Sequence, residues 1–219
     1  MHFFDDEVNG LKSFMISYYM KTTILTLVLY LFLISCGNDN DNNTTSFKSL
    51  KLFPEGKSFS GFQLTSNHGK TWHADDFKGN YSIVFFGYTN CPDICPTTLL
   101  DMQKIDKQLK TSKIPRPNFV FISVDPDRDT PDVLNDYINY FNPEFKALTG
   151  DQANILSIAS QLGVAYHVAD HEKDDLVYDV DHASALFVIN PQGERIGIFS
   201  APHDVNVLIA DIKLLMENS

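Results

Sequence analysis

The chain has 219 residues, of which 43% are hydrophobic and 12% aromatic, which is typical of one globular domain with an N-terminal appendage. Its formal net charge is −11, its sequence pI is about 4.9, and it contains no basic cluster. This charge excludes nucleic acid as a partner and indicates a solvated acidic surface, which is also compatible with cations or basic partners.

Residues 1–35 have the features of an export signal. A short basic start precedes the apolar run 24–34, and a small residue follows the run. The run is shorter than the roughly 20 residues that a membrane-spanning helix needs. Because the acidic residues at positions 5–7 are unusual ahead of such a signal, we favour Met20 as the true start, with Met15 as the alternative.

The residues after the apolar run indicate how the domain is anchored. Leu-Ile-Ser-Cys at 33–36 is similar to a bacterial lipobox, which implies cleavage before Cys36 and lipid attachment to its sulfur. Residues 36–49 are largely polar and are expected to form a flexible tether to a domain at 50–219. The alternative is a signal anchor in which Cys36 is an ordinary thiol. Both interpretations place the domain outside the cytoplasm on a membrane, the first as a bacterial lipoprotein of the periplasmic side or cell envelope.

The domain alternates between short apolar runs and amphipathic segments. Apolar runs predict strands, and apolar residues at helical spacing predict helices. In chain order these are a strand at 58–64, a buried strand at 81–88, a helix from Pro96 to about Leu109, a strand at 118–124, a helix from Thr130-Pro131 to 141, a helix at 151–162 ended by Gly163, a strand at 185–189 paired in a hairpin with 195–199, and a helix at 205–216.

This order predicts an α/β domain with a largely parallel sheet, helices on both faces and a closing antiparallel hairpin. A paired-cysteine loop after the first central strand makes the domain resemble the thioredoxin-like fold, which has a central mixed sheet. Residues 164–182 do not fit the minimal version of that fold. They are interpreted as an inserted loop or hairpin before the third central strand.

The chemistry is concentrated in Cys91 and Cys95, which lie in the segment Cys-Pro-Asp-Ile-Cys-Pro directly after the strand at 81–88. Because Pro96 disfavours helical geometry at the residue before it, Cys95 is expected at the helix entrance and Cys91 in the loop. Backbone N–H groups and the helix dipole at that position stabilise a thiolate. The spacing is compatible with a copper(I) or zinc site, with disulfide exchange and with a structural disulfide. The short loop argues against the last, because it offers little entropic stabilisation.

A metal site needs a third ligand, and His182 is the strongest candidate. It lies at the start of the third apolar strand, in a loop that faces the cysteine loop in thioredoxin-type sheets and usually holds a cis-proline. The chain has Ala183-Ser184 there instead. The remaining histidines are interpreted as solvated in turns (His68, His203), packed beside Trp72 (His73), at the surface or in a weak secondary metal site of the acidic insert (His167, His171), and ahead of the signal (His2).

Three motifs together resemble the SCO/SenC family: residues 87–96 around the cysteines, Ser-Val-Asp-Pro-Asp-Arg-Asp-Thr-Pro at 123–131, and Val-Asp-His-Ala-Ser at 180–184. The similarity covers roughly residues 50–218. It implies a thioredoxin-like domain tethered outside the cytoplasm, with copper held by Cys91, Cys95 and His182. Family members deliver copper to the binuclear copper site of cytochrome c oxidase or maintain its thiols. The short apolar anchor departs from members that have a full transmembrane helix.

The residue chemistry agrees with this resemblance, because thiolates suit Cu(I) and an added imidazole also suits Cu(II). Asp181 and Asp93 are candidate carboxylates that orient the metal ligands from outside the coordination sphere. The alternative for Asp181 is an ordinary solvated acid in a loop. Asp125, Arg128 and Asp129 are interpreted as a structural turn with an ion pair and a helix cap.

The leading functional hypothesis is therefore a copper metallochaperone rather than an enzyme. Its expected partners are the copper-site subunit of cytochrome c oxidase or another copper carrier, a thiol reductant, and a membrane reached through the lipid anchor. The alternative is an extracytoplasmic thiol–disulfide oxidoreductase that acts on the cysteines of the oxidase or of other exported proteins. A peroxide-reducing enzyme and a copper or redox sensor are further possibilities on the same fold. His182 and the missing cis-proline favour metal binding over general thiol exchange.

Overall fold

The structure is a computed structural model that describes residues 46–169, 180–182 and 184–217, with Asp181 and His182 described by their backbone alone. The predicted signal at 1–35, the lipobox cysteine Cys36 and most of the tether lie outside the described residues.

A mixed sheet forms the centre of the domain. The strands are β1 (Leu50–Ser58), β2 (Leu64–Ser66), β3 (Thr71–Trp72), β4 (Ser82–Gly87), β5 (Asn118–Ser123), β6 (Lys146–Thr149), β7 (Tyr166–Val168), β8 (Val180–His182), β9 (Leu186–Ile189) and β10 (Glu194–Phe199). Their order in the mixed sheet is β1-β10-β9-β4-β5-β6-β2-β3, and a separate two-stranded sheet pairs β7 with β8.

Helices flank this sheet. They are α1 (Ile94–Thr111), α2 (Pro131–Phe141), α3 (Gln152–Leu162) and α4 (Val205–Glu217), with a short 3-10 helix at Ala74–Phe77. Helix α1 packs against α4. Every residue of β4 and β9 is buried, so the sheet is covered on both faces at its centre. These observations confirm the predicted α/β, thioredoxin-like architecture.

The ends of two helices follow from local chemistry that the sequence indicates. Thr130 caps α2 by accepting a hydrogen bond from the backbone N–H of Val133, directly ahead of Pro131. Asp151 caps α3 in the same way through the N–H of Asn154. Gly163 ends α3 in the left-handed conformation with φ 80°, which glycine adopts without steric cost. The predicted bounds of both helices are confirmed.

The prediction of a largely parallel sheet was wrong. Among the described strands, only the β4–β5 and β5–β6 pairings of the main sheet are parallel. In each of these pairs a helix connects the two strands, and parallel neighbouring strands require such a crossover connection. The strand β9 is antiparallel to β4, because the chain comes from the β7–β8 hairpin and enters β9 beside the end of β4. That hairpin confirms the predicted insert, of which residues 170–179 lie outside the description.

The N-terminal part of the domain also departs from the prediction. The strand β1 lies on the sheet edge against β10 and is mostly exposed, so its residues carry little apolar periodicity. The predicted strand at 58–64 is instead a loop that holds the stacked rings of Phe59 and Phe62. Its backbone N–H groups at Ser60 and Gln63 donate to side chains of α3, which replaces ladder pairing.

Candidate metal centre

The two cysteines lie between the end of β4 and the first turn of α1. Cys91 is half-buried in the loop, whereas Cys95 is fully buried as the second residue of the helix. Both side chains are thiols that form no disulfide. The backbone N–H of Cys95 points at the Cys91 sulfur over 3.4 Å, so the loop folds one cysteine back over the other. This arrangement gives a dithiol site at the carboxyl end of a central strand.

The helix starts earlier than predicted, at Ile94 rather than at Pro96. Cys95 is therefore inside the helix despite the proline after it. A proline is tolerated here because the N–H groups of the first turn have no intrahelical partner to lose. The carbonyl of Asp93 accepts a hydrogen bond from the N–H of Thr97 at 3.2 Å, which closes the first turn around the proline.

Gly87 makes room for the Cys95 sulfur. A Cβ atom at position 87 would lie 2.5 Å from the Cys95 Sγ and 2.9 Å from Cε2 of Phe121. Neither distance is compatible with a normal van der Waals contact. The last residue of β4 therefore has to be glycine for the thiol to lie against the strand, and this contact fixes the depth of Cys95 in the core.

Burial raises the pKa of the Cys95 thiol, and the Cys91 thiolate raises it further, while a hydrogen bond from the backbone of Tyr88 partly opposes the shift. The expectation of a dipole-stabilised thiolate was therefore wrong for Cys95. Its side chain points into the core rather than into the solvated space in front of the helix, and loss of hydration outweighs the helix dipole. Because ligands must be deprotonated, metal binding at this sulfur would release its proton.

The buried carboxylate of Asp129 anchors the cysteine loop through hydrogen bonds. Asp129 is fully buried and accepts hydrogen bonds from the Thr89 N–H at 3.0 Å, the Thr89 hydroxyl at 2.5 Å and the Ser123 hydroxyl at 2.5 Å. Burial raises the pKa of Asp129, and these hydrogen bonds oppose that shift. The sequence suggested that this turn caps a helix, and the residue that caps α2 is Thr130. Asp129 instead links the β5–α2 turn to Thr89.

The predicted ion pair of this turn is confirmed. The Nε atom of Arg128 contacts Oδ2 of Asp125 at 2.5 Å, and both side chains are almost completely buried. The Arg128 guanidinium also lies 5.6 Å from the ring centroid of Tyr88, at cation–π distance. Tyr88 therefore links the turn to the cysteine loop through its ring and to the Cys95 sulfur through its backbone.

The backbone of His182 lies at the same edge of the sheet as the cysteines. The antiparallel pairing sets Phe85 opposite Leu186, so the chain ahead of β9 passes the end of β4. In addition, the Tyr88 hydroxyl has a hydrogen bond with the backbone of Val180, the first residue of β8. The register of β8 then sets His182 opposite Tyr166. The imidazole of His182 and the carboxylate of Asp181 lie outside the described side chains.

The other predicted residues whose side chains the structure describes are mostly exposed. Asp93 lies between the two cysteines at the start of α1 and is exposed, and His68, His73 and His167 are exposed as well. His203 was expected to be solvated but is half-buried, and burial lowers its pKa. Among the described side chains, which do not include that of His182, no three His, Cys, Asp or Glu residues form a metal-binding group.

Sequence reasoning missed the residues that support the cysteine loop: Gly87, Tyr88, Thr89 and Ser123. The first three are part of the conspicuous segment before Cys91, but nothing in their spacing indicates which atoms they contact. Ser123 lies at the end of β5, far along the chain, and reaches the loop through its hydrogen bond to Asp129.

The fold and the dithiol site define a thioredoxin-like protein whose paired cysteines follow a central strand. The sequence profile of SCO1/SenC matches residues 54–217, so the chain belongs to the SCO1/SenC family. A relative is the SCO2-like protein of Rickettsia felis, 38% identical over 147 residues, which cover 66% of this chain and 71% of the relative.

Solved structures agree with this assignment. Arabidopsis thaliana ScoI with copper bound has 32% identity and a TM-score of 0.66, over 74% of this chain and 100% of that chain. A SCO1/SenC family lipoprotein from Bacillus anthracis has 26% identity and a TM-score of 0.63, over 78% and 99%. BsSco, a member of the Sco family of cytochrome c oxidase assembly proteins with a disulfide switch, has 25% identity and a TM-score of 0.59, over 76% and 96%.

Within the described residues, no helix has both the length and the apolar character that crossing a membrane requires.

Proposed function

We propose that this protein is a membrane-tethered copper metallochaperone that binds copper through Cys91, Cys95 and His182 and assists assembly of the binuclear copper site of cytochrome c oxidase. The observation that carries the proposal is the convergence of two reduced cysteines with the backbone of β8 at one edge of the sheet. The copper-bound plant structure supports the same metal, and 74% of this chain matches the whole length of that structure.

The donor set fits copper as a cargo. Two thiolates are soft ligands that select Cu(I), and a neutral imidazole adds the nitrogen that Cu(II) prefers. Three protein ligands leave a coordination position that a thiolate of the receiving protein can occupy before the metal leaves. The half-buried Cys91 is the ligand that such a partner reaches first, whereas Cys95 is enclosed by Gly87 and the core.

The proposed location and partners follow from the predicted anchor. Lipid on Cys36 would hold the domain on the outer side of a membrane through the tether at 36–49. This proposal is supported by the Bacillus anthracis relative, which is described as a lipoprotein. The partners would be the copper-site subunit of the oxidase or another copper carrier, together with a reductant that keeps Cys91 and Cys95 as thiols. Asp93 and Asp181 are proposed to orient the site.

A second function, thiol–disulfide exchange, is favoured by the unequal exposure of the two sulfurs. An accessible Cys91 beside a buried Cys95 is the arrangement of an attacking thiol and a resolving thiol. BsSco, described by its disulfide switch, supports redox chemistry in this family. The two functions are compatible, because copper binding requires the reduced pair.

The test is an anaerobic Cu(I) titration of the protein against a competing chelator, with Cys91→Ser, Cys95→Ser and His182→Ala variants. His68→Ala is the matched control, since His68 is an exposed histidine in a turn. We expect one tightly bound copper that each of the three ligand variants weakens and the control leaves unchanged. An unaltered affinity in His182→Ala would contradict the three-ligand site.

The same protein variants distinguish thiol–disulfide exchange from copper binding. If the wild type binds no copper tightly but its Cys91–Cys95 disulfide is rapidly reduced and re-formed by protein thiols, the oxidoreductase is the better description. In that case His182→Ala should leave the exchange rate unchanged, whereas either cysteine variant should abolish it.

A further inference from the structure

The first strand of the domain begins at the edge of the sheet that carries the two cysteines, here called the thiol edge. One row of paired residues crosses the four neighbouring strands from β1 to β4: Leu50, Phe199, Leu186 and Phe85. Two residues beyond Phe85, β4 ends at Gly87, which borders the buried thiol. Because β4 runs towards the thiol edge and β1 runs away from it, the tether enters the sheet on the side where the cysteine loop leaves it.

Strand and helix geometry give the distances involved. Neighbouring strands lie about 4.8 Å apart, so the three steps from β1 to β4 amount to about 14 Å. The opposite edge is farther away. Helix α1 connects the thiol edge with the start of β5 at that opposite edge, and its 18 residues rise about 1.5 Å each, or about 27 Å in total. The tether therefore enters the domain closer to the thiols than to the opposite edge.

The side chain of Asp211 on α4 fixes this entry point. It is buried and accepts hydrogen bonds from the backbone N–H groups of Lys48, Ser49 and Leu50 at 2.9, 2.7 and 2.8 Å. Three consecutive N–H groups on one carboxylate hold the chain in a bend directly ahead of β1. The ring of Phe47 packs against the core beside them. The end of the tether is thus bound to the domain from residue 47 onwards.

The length of the tether limits how far the entry point can lie from the proposed lipid. Positions 36 and 46 are ten residues apart, and ten residues span at most about 35 Å, whatever their conformation. If the thiol edge faced away from the membrane, the roughly 27 Å between the two edges would lie between the entry point and the bilayer. The tether would then have to stretch over most of its maximum span, which costs conformational entropy. With the thiol edge towards the membrane, no such stretching is required.

We propose that the thiol edge is the membrane-facing edge of the domain and that Asp211 is the residue that holds the tether there. The span of the tether and the width of three strand steps together keep the thiols within about 50 Å of the anchored Cys36. The receiving partner is therefore a protein held on the same membrane, with its copper site near the bilayer, rather than a carrier that diffuses in solution. This inference rests on the lipid anchor of the proposed function and specifies its partner.

The test measures which edge of the domain lies closer to the lipid. The full-length chain, lipidated at Cys36, is reconstituted on phospholipid vesicles whose headgroups carry an energy acceptor. A coumarin-bearing amino acid, the energy donor, replaces either Ser200 or Gln192, which are both exposed. Ser200 directly follows Phe199 at the thiol edge, whereas Gln192 lies in the β9–β10 turn at the opposite edge, so each label is the control for the other.

We expect the energy-transfer efficiency from position 200 to exceed that from position 192 about twofold or more, because the edges are about 27 Å apart. An insertion of 20 Gly and Ser residues between positions 45 and 46 should bring this ratio close to one, since it adds up to about 70 Å of reach. Asp211→Asn should also lower the ratio, because residues 46–49 then add to the length of the tether.

The outcomes separate this inference from the function on which it rests. Equal efficiencies, or a higher efficiency from position 192, would overturn the inference and leave the metallochaperone in place, because the Cu(I) titration does not depend on orientation. A ratio that the insertion leaves unchanged would show that the length of the tether does not orient the domain, and would overturn it as well. An unchanged ratio in Asp211→Asn would refute the role of Asp211. If the chain is not retained on the vesicles, the lipid anchor fails and this inference fails with it.

Discussion

Replacing Gly87 with alanine tests whether the strand end determines the depth of the Cys95 thiol. The added Cβ would lie 2.5 Å from the Cys95 Sγ and 2.9 Å from Phe121. Non-bonded heavy atoms prefer roughly 3.5–4.0 Å, so the sulfur and the ring have to move by about 1 Å. Overpacking of this kind costs about 1–3 kcal/mol. In a domain of this size that corresponds to a fall of about 2–12 °C in Tm.

The displacement should also separate the two sulfurs, so we expect Gly87→Ala to weaken Cu(I) binding about tenfold or more. Gly79→Ala is the matched control. Gly79 has φ 91° and nothing within 4 Å of its Cβ position, so alanine there strains the backbone without touching the thiols. That strain costs about 1–2 kcal/mol. Thermal unfolding by circular dichroism and a chelator competition assay give the two quantities.

Gly79→Ala should lose stability and keep its copper affinity, whereas Gly87→Ala should lose both. If Gly87→Ala unfolds at the wild-type temperature and binds copper normally, the contact between Gly87 and Cys95 does not constrain the site. If both variants weaken copper binding equally, the effect on affinity follows from stability alone.

Three further predictions follow from the buried groups. Since burial raises the pKa of Asp129, the folded protein holds this proton more tightly than the unfolded chain, and stability falls as pH rises from about 3.9 towards the folded pKa. Asp129→Asn should flatten this part of the curve in urea unfolding between acidic and neutral pH, and an unchanged slope would contradict the assignment. Asp211 is buried and accepts hydrogen bonds from the backbone N–H groups of residues 48–50, at 2.9, 2.7 and 2.8 Å. Asp211→Asn should lose about 1–3 kcal/mol and expose Lys48 to trypsin, and wild-type cleavage kinetics would show that the carboxylate does not hold this segment. Finally, iodoacetamide should alkylate Cys91 well before Cys95, because Cys91 is half-buried while burial raises the pKa of the enclosed Cys95 thiol. Peptide mass spectrometry reads the two rates, and equal rates would refute the difference in access.

The two cysteines therefore have different parts in any transfer reaction. Cys91 can exchange a ligand or a disulfide with a partner, because its sulfur is partly exposed. Cys95 is enclosed by Gly87, by the backbone of Tyr88 and by the core, and this burial raises the pKa of its thiol. Asp129 joins both to the fold through Thr89, which makes the geometry of the loop depend on the turn after β5.

Sequence patterns were sufficient to locate the elements whose signals are local. The apolar run of β4, the capped helices α2 and α3, the hairpin of β9 and β10, and the paired cysteines after a buried strand were all predicted correctly. Each depends on residues within a few positions of one another, because periodicity and capping are short-range properties.

The features that join distant segments depend on the three-dimensional packing of the chain. Apolar periodicity reports that a strand is buried but not which strand lies beside it, so the antiparallel placement of β9 and the edge strand β1 could not be derived. The same limit applies to the site. The thiol of Cys95 is buried because β4 and α1 pack around it, and Asp129 reaches Thr89 across 40 positions of sequence. Desolvation and long-range hydrogen bonds depend on the assembled core, and no local pattern encodes them.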